Sequence, residues 1–164
     1  MDVDRFWQVV EASRLQAGLD TDARVESLRI VLSGLPAAEL ESFQRHYDEQ
    51  IRRSYRWDLW GAAFVMNGGC SDDGFRYFRD WLISEGRETF EKALANPESL
   101  ADLDRVELAE LESYGYVALE LYGKKASGGL DRDLSTEGAE PTGQPWKEED
   151  VDRLFPRLAA KYSG

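Results

Sequence analysis

Trp57-Asp58-Leu59-Trp60-Gly61-Ala62-Ala63-Phe64-Val65-Met66, followed by Asn67-Gly68-Gly69-Cys70, is the stretch on which the reading of this chain turns. Its apolar side chains surround a helical axis instead of lining one side. A helix that is apolar all round belongs in the middle of a structure, covered by other elements. Asn67-Gly68-Gly69-Cys70 breaks it. Ser71 or Asp72 can cap the next helix, which carries Phe75, Phe78, Trp81 and Leu82 inward until Gly86 ends or kinks it.

A buried central helix needs neighbours, and the flanking sequence supplies them at helical spacing. Val3, Phe6, Trp7 and Val10 form one stripe, with Asp2 as N-cap and Gly18 as stop. Val25, Leu28 and Leu32 form a second, capped by Asp20 or Thr21 and ended by Gly34. Leu40, Phe43, Tyr47 and Ile51 form a third after Pro36, which suits a first helical turn. Downstream, Phe90, Ala93 and Leu94 make a short helix that Asn96-Pro97 terminates, and 98–103 reads as one turn more. Leu108, Leu111, Tyr114, Gly115, Ala118 and Tyr122 read as a seventh helix.

Residues 124–143 read as a loop with almost no apolar content. Twenty such residues inside a compact domain are unusual, so the loop is either mobile or laid across the surface. Trp146 looks like the anchor of the tail. Helical spacing resumes at Val151, Leu154, Phe155, Leu158 and Tyr162, and Pro156 must start, kink or divide that helix. No alternating strand pattern persists. The expected fold is all-α: a single-domain irregular helical bundle of about seven to eight helices over 1–164. It divides into a helical body 1–123, a long loop 124–145 and a docked C-terminal helix 146–163.

The 164 residues contain 20 Lys and Arg against 32 Asp and Glu, a net charge of -12. A nucleic-acid partner is disfavoured, because phosphate contacts need a basic surface. One Cys excludes an intrachain disulfide and a Cys-rich zinc site, and one His excludes a multi-His centre. No apolar run approaches the roughly 20 residues of a membrane span. Met1-Asp2-Val3-Asp4 lacks signal-peptide organisation, so a cytoplasmic location is expected. Residues 52–87 carry five acids and six arginines and are the one block that is not acidic.

That block also holds the candidate chemistry. A Gly-Gly turn before a helix presents free N–H groups to an anion, although Asp72 and Asp73 stand in the first turn and can satisfy them. Cys70 precedes a helix start, which lowers a thiol pKa, and His46 is the one available imidazole base. Asp72 and Asp73, with Asp58 or Glu85, could pair for acid–base work or Mg²⁺. Adjacent helical acids point about 100° apart, however, and no metal or cofactor is expected. Arg76 and Arg79 share a face at i, i+3. With Arg52, Arg53, Arg56 and Arg87 they could converge on an anion, or each could pair with a neighbouring carboxylate, Arg76 with Asp72 or Asp73 and Arg79 with Asp80. Gly115 inside a helix costs about 1 kcal/mol against Ala, which points to a close-packed backbone there.

The 57–63 and 67–73 motifs, with Phe75, Phe78-Arg79, Trp81-Leu82-Ile83 and Gly86, resemble the bacterial domain-of-unknown-function family numbered 4240. The opening Phe6-Trp7, the Pro145-Trp146 pair and Phe155-Pro156-Arg157-Leu158 are similar to it too. The resemblance implies a small bacterial protein and transfers no activity, cofactor or partner.

These readings point away from an enzyme and toward a non-catalytic binding or interaction protein. Its acidic faces over 1–51 and 88–123 would meet a basic protein partner. The alternative is a small-molecule or anion-binding site, enzymatic or not, between the helices of residues 57–67 and 72–86. Its candidate residues are Trp57, Trp60, Asn67, Ser71, Asp72, Asp73, Arg76 and Arg79. A third reading makes the same motif a helix joint with no ligand.

Overall fold

The computed structural model of the chain describes residues 1–162. Among the described residues nine α-helices run in order as α1 (Val3–Ala17), α2 (Ala23–Ser33), α3 (Ala37–Arg53), α4 (Trp57–Asn67), α5 (Asp72–Ser84), α6 (Arg87–Ala95), α7 (Val117–Lys125), α8 (Val151–Leu154) and α9 (Pro156–Tyr162). Tighter 3-10 turns cover Pro97–Asp102, Glu112–Tyr116 and Glu148–Asp150. The described residues contain no β-strand, and one isolated bridge pairs Arg56 with Thr142. The class is all-α, as the periodicity predicts. No described helix is long and apolar enough to cross a membrane.

Local chemistry sets the helix ends. Asp2 caps α1 by accepting from the Arg5 amide at 2.8 Å, and Gly18 ends it at φ 66. Asp20 accepts from the amides of Asp22 and Ala23 just before α2. Ser71 Oγ accepts from the Gly74 amide at 3.1 Å and caps α5. Gly68, at φ 69, closes α4 in a left-handed conformation that a side chain would strain.

Leu59, Ala62 and Ala63 of α4 are fully buried in the common core with Phe6, Phe43, Phe78 and Trp81. The other side of α4, Trp57, Trp60 and Phe64, is half-buried. There the cover is the chain's tail. Trp146 donates its indole N–H to the Trp57 carbonyl at 2.6 Å and stands edge-on to Trp57 and Trp60. Gly61 is the flat seat for this contact: a Cβ there would lie 2.5 Å from the Phe155 ring and 3.0 Å from Trp146 Nε1.

Three expectations are corrected. The C-terminal helix begins at Val151 and not at 146, and Pro156, which has no amide hydrogen, divides it into α8 and α9, one of the effects expected of it; residue 163 of the expected helix lies outside the described residues. The 108–122 stripe is not one helix either. Leu111 is non-helical (φ -151, ψ 64), the next turn is 3-10, and α7 begins only at Val117, leaving Leu108 54% exposed. The division at Pro156 is what raises the α-helix count among the described residues above seven to eight.

The segment joining α7 to the Glu148–Asp150 turn is laid across the surface, the second of its two possible arrangements. Arg132 grips Asp48 of α3 with two bonds, 3.0 and 2.8 Å. Tyr55 donates its hydroxyl to the Ala139 carbonyl at 2.7 Å. The Thr142 amide bonds the Tyr55 carbonyl, and the Trp57 amide bonds the Thr142 carbonyl, at 3.1 and 2.9 Å. We call this segment, 126–147, the strap.

Gly61 and Gly123 give opposite expectations. Gly61→Val overpacks the seat of the tail and should lower stability by roughly 2–3 kcal/mol in urea unfolding. Gly123, in the last turn of α7, has nothing within 4 Å of an added Cβ. Gly123→Ala should raise stability by about 0.5–1 kcal/mol by the same measurement.

Candidate functional site

Helix α5 places two oppositely charged neighbours, Arg79 and Asp80, inside the protein, at 4% and 2% exposure. Arg79 is enclosed. Its guanidinium lies 4.7 Å from the ring centroids of both Tyr55 and Phe75 and donates to the Ile51 carbonyl at 2.9 Å. Burial pushes its pKa down to about 10, with Arg76 adding to the effect, so it stays a cation at neutral pH. It does not pair with Asp80, contrary to the pairing weighed from sequence.

Asp80 is held differently. Tyr47 of α3 donates its hydroxyl to Asp80 Oδ1 at 2.5 Å, and Arg76 Nε stands 3.5 Å from the same oxygen. That Arg76 nitrogen is buried without a well-aligned hydrogen bond, so the contact is ionic attraction alone. No hydrogen bond from the described residues reaches Asp80 Oδ2. Burial raises the Asp80 carboxyl to about 6, against the opposing pull of Arg76 and Tyr47. Burial likewise drives the Tyr47 phenol far above its ordinary range, with Asp80 second, which keeps it a donor.

Gly115 makes room for this carboxylate. A Cβ at 115 would lie 2.7 Å from Asp80 Oδ1. The glycine therefore accommodates a side chain, not the backbone inferred from sequence. Beyond Asp80 opens a cavity of about 210 Å³ between α5, the Glu112–Tyr116 turn, α7 and the strap. Asp73, Arg76 and Tyr77 of α5 line it, with Glu112 and Tyr116 of the turn, Leu119 of α7, and Arg132 and Glu137 of the strap. A second hollow of about 510 Å³ continues along the strap past Arg76 to Tyr55 and Arg79.

The eight candidate residues separate into different jobs. Trp57 stacks on Trp60 (5.3 Å) and Trp60 on Phe75 (5.0 Å), while Trp60 donates to the Cys70 carbonyl at 2.9 Å. Asn67 acts as a staple: its amide oxygen takes the Ala109 N–H at 2.8 Å and its amide nitrogen reaches the Ala109 carbonyl at 3.2 Å. Ser71 is the α5 cap. These four bind the α4–α5 joint to itself and to the 103–111 segment. Asp72 and Asp73 are exposed on the first turn. Asp73 and Arg76 alone of the eight reach the Asp80 cavity, with Asp72 and Arg79 on the adjoining hollow.

The arginines do not converge. Arg52 pairs with Glu49, Arg53 with Glu91, Arg56 with Asp58 and Arg87 with Asp4, at 2.5–2.7 Å. Arg76 pairs with Asp80, and not with Asp72 or Asp73. Cys70 is no nucleophile here. Burial and then Glu110 push its thiol up to about 12, and His46 lies on α3 with Nε2 3.0 Å from the Met1 carbonyl. Among the described residues no three His, Cys, Asp or Glu side chains are grouped so as to hold a metal ion. Tyr47, Asp80, Glu112, Tyr116, Arg132 and Glu137 were missed as site residues. The available signal was Asp80 at i+4 from Arg76 on an otherwise apolar face.

A family model described as a protein of unknown function (DUF4240) matches residues 1–124, and the chain belongs to that family. The match takes in α1 through all but the last residue of α7, including Asp80 and Gly115, and stops before the strap and the tail motifs at Trp146 and Phe155. No curated protein and no solved structure matches the chain.

Three outcomes follow from the α5 charges. The Asp80 pKa is higher folded than unfolded, so the native state binds its proton more tightly. The stabilisation this gives is complete below about pH 4 and is lost as pH rises through about 6. Asp80→Asn keeps an acceptor for Tyr47 without the charge. It should be roughly 2–3 kcal/mol more stable than the parent at pH 8, the difference closing toward pH 4 in urea titrations. Arg79→Ala should cost about 3 kcal/mol, through lost packing and the vacated Ile51 carbonyl. Asp73→Ala should cost less than about 1 kcal/mol, since only the helix dipole is affected.

Proposed function

We propose that this member of the DUF4240 family is a non-catalytic binding protein that presents an acid-rimmed groove to a basic protein partner. The observation that carries the reading is a groove of about 550 Å³ between the α1–α2 turn and the 103–111 segment. Leu19 is fully exposed at its edge and Leu108 is 54% exposed. Asp20, Asp22, Glu107 and Glu110 surround the two leucines. The groove's one cation, Arg105, turns toward the tail, with its guanidinium 5.1 Å from the Tyr162 ring and Nε 3.4 Å from the Lys161 carbonyl.

Two leucines inside a ring of carboxylates suit a segment that is apolar on one face and basic on its edges. Apolar contact supplies affinity, and charge supplies orientation and association rate. The net charge of -12 strengthens the same field over the whole surface. The compartment in this reading is the cytoplasm, which a chain with one thiol and no disulfide suits.

The test is affinity capture from native lysate with the parent chain and with a Leu19→Ser/Leu108→Ser variant, at roughly 50 and 300 mM salt. A basic protein should be retained by the parent at low salt, weakened at high salt and lost by the variant at both. Nothing retained above background, or equal retention by both chains, overturns the proposal.

A further inference from the structure

We infer that the cavity beneath the strap is a binding site for a small organic cation, an ammonium or guanidinium group seated on the free oxygen of Asp80. The site is separate from the leucine groove and does not depend on it.

The first support is a carboxylate in an otherwise buried side chain whose protein hydrogen-bond set is incomplete. The Asp80 side chain is 2% exposed. Asp80 lines the cavity; its Oδ1 accepts from Tyr47 and faces Arg76, whereas its Oδ2 receives no hydrogen bond from the described residues. A carboxylate oxygen ordinarily accepts one or two bonds, from water where no protein donor reaches it. A donor from outside would complete the set. The backbone keeps the position open, since Gly115 is the residue whose Cβ would press on the carboxylate.

The second support is the sign of the surroundings. Four carboxylates face the cavity, Asp73, Asp80, Glu112 and Glu137, against two guanidiniums, Arg76 and Arg132. Both bonding arms of Arg132 are already engaged by Asp48. Arg76 leans on Asp80 at 3.5 Å. An anion entering here would meet more negative than positive charge, whereas a cation gains from it.

The third is the wall. Tyr77 and Tyr116 line the opening, and Tyr116 is tethered to Glu112 at 3.4 Å. Phenol rings attract cations through their faces. Leu119 offers an apolar patch for a short alkyl stem. About 210 Å³ is below the usual size of drug-sized pockets, which excludes a nucleotide and admits a group of side-chain size. An alkylammonium ending in a three- or four-carbon stem has this chemistry. It can come as a free amine or as the lysine side chain of a protein.

The experiment is an NMR titration of the full chain at about pH 8, above the Asp80 titration. The probes are n-butylammonium, methylguanidinium, acetate, inorganic phosphate and a short lysine-containing peptide. The cations should shift the amides of Tyr77 and of 112–119 saturably, while acetate and phosphate leave them unmoved. Asp80→Asn should weaken the cations at least about tenfold, the loss of one charge-assisted hydrogen bond. Glu112→Gln, on the exposed rim and remote from the core, should weaken them by a smaller factor and keeps the test informative if the Asp80 variant is perturbed. Tighter binding of the peptide identifies a protein side chain as the source, and tighter binding of butylammonium identifies a free amine. No shift with any cation, saturable shifts with acetate or phosphate at these residues, or undiminished binding by a folded Asp80→Asn chain overturns the inference.

Discussion

The Arg79 guanidinium between the rings of Tyr55 and Phe75 is the contact from which much of the molecule can be traced. A cation this deeply buried is tolerated only when its desolvation is offset. Two ring faces and the Ile51 carbonyl do that, and in doing so they fix α5 against the end of α3. Phe75 then stacks on Trp60, Trp60 on Trp57, and Trp57 meets Trp146 edge-on. Tyr55, on the other side of the guanidinium, holds the strap through its hydroxyl and its carbonyl. One side chain thus joins the core, the aromatic ladder under the tail and the segment that crosses the surface.

Asp80, the next residue, is the contrast that gives the site its meaning. Both charges are buried on the same helix, but the arginine is enclosed by matched groups and the aspartate is half-matched. An amide at 80 would still accept from Tyr47, though more weakly and without the charge that faces Arg76. Sequences generally satisfy their buried polar groups, and departures concentrate where a site needs an unfinished bond. The departure here coincides with a cavity, a glycine that clears space and a surplus of negative charge. These are independent features of three different chain segments.

What the sequence makes legible follows from what periodicity can report. The all-round apolar run of 57–66 identifies α4 as the covered helix, and Asp2, Ser71, Gly18 and Gly68 mark real helix ends. Periodicity cannot report a side chain that stands in for backbone. The Asn67 amide pairs with both polar groups of Ala109, and the Leu111 amide bonds the Tyr77 carbonyl, so 103–111 stays non-helical although Leu108 and Leu111 are at helical spacing with Tyr114. Ion-pair partners were illegible for the same reason. Arg53 reaches Glu91 and Arg132 reaches Asp48 only because tertiary packing brings distant helices together. Of the candidate residues, the aromatic and amide members are consumed by the joint itself, and the cavity gathers around Asp80, a residue read from sequence only as a counterion.

The strap shows how the family body and the rest of the chain are coupled. Ordering some twenty mostly polar residues costs about 1–2 kcal/mol each in backbone entropy, and little apolar burial opposes it. Its ties are few: Trp146 and Thr142 at one end, the Ala139 carbonyl in the middle, and the Arg132–Asp48 pair toward the other end. Asp48 is 2% exposed and also takes a bond from Gln44, so without Arg132 the core would keep a buried anion poorly matched. The strap is therefore not an independent covering. It neutralises a core charge, and between that pair and the Ala139 tie it brings Glu137 to the wall of the Asp80 cavity. Anything bound there touches the α5 body on one side and the strap on the other, so occupancy of the cavity and ordering of the strap must favour each other by linkage.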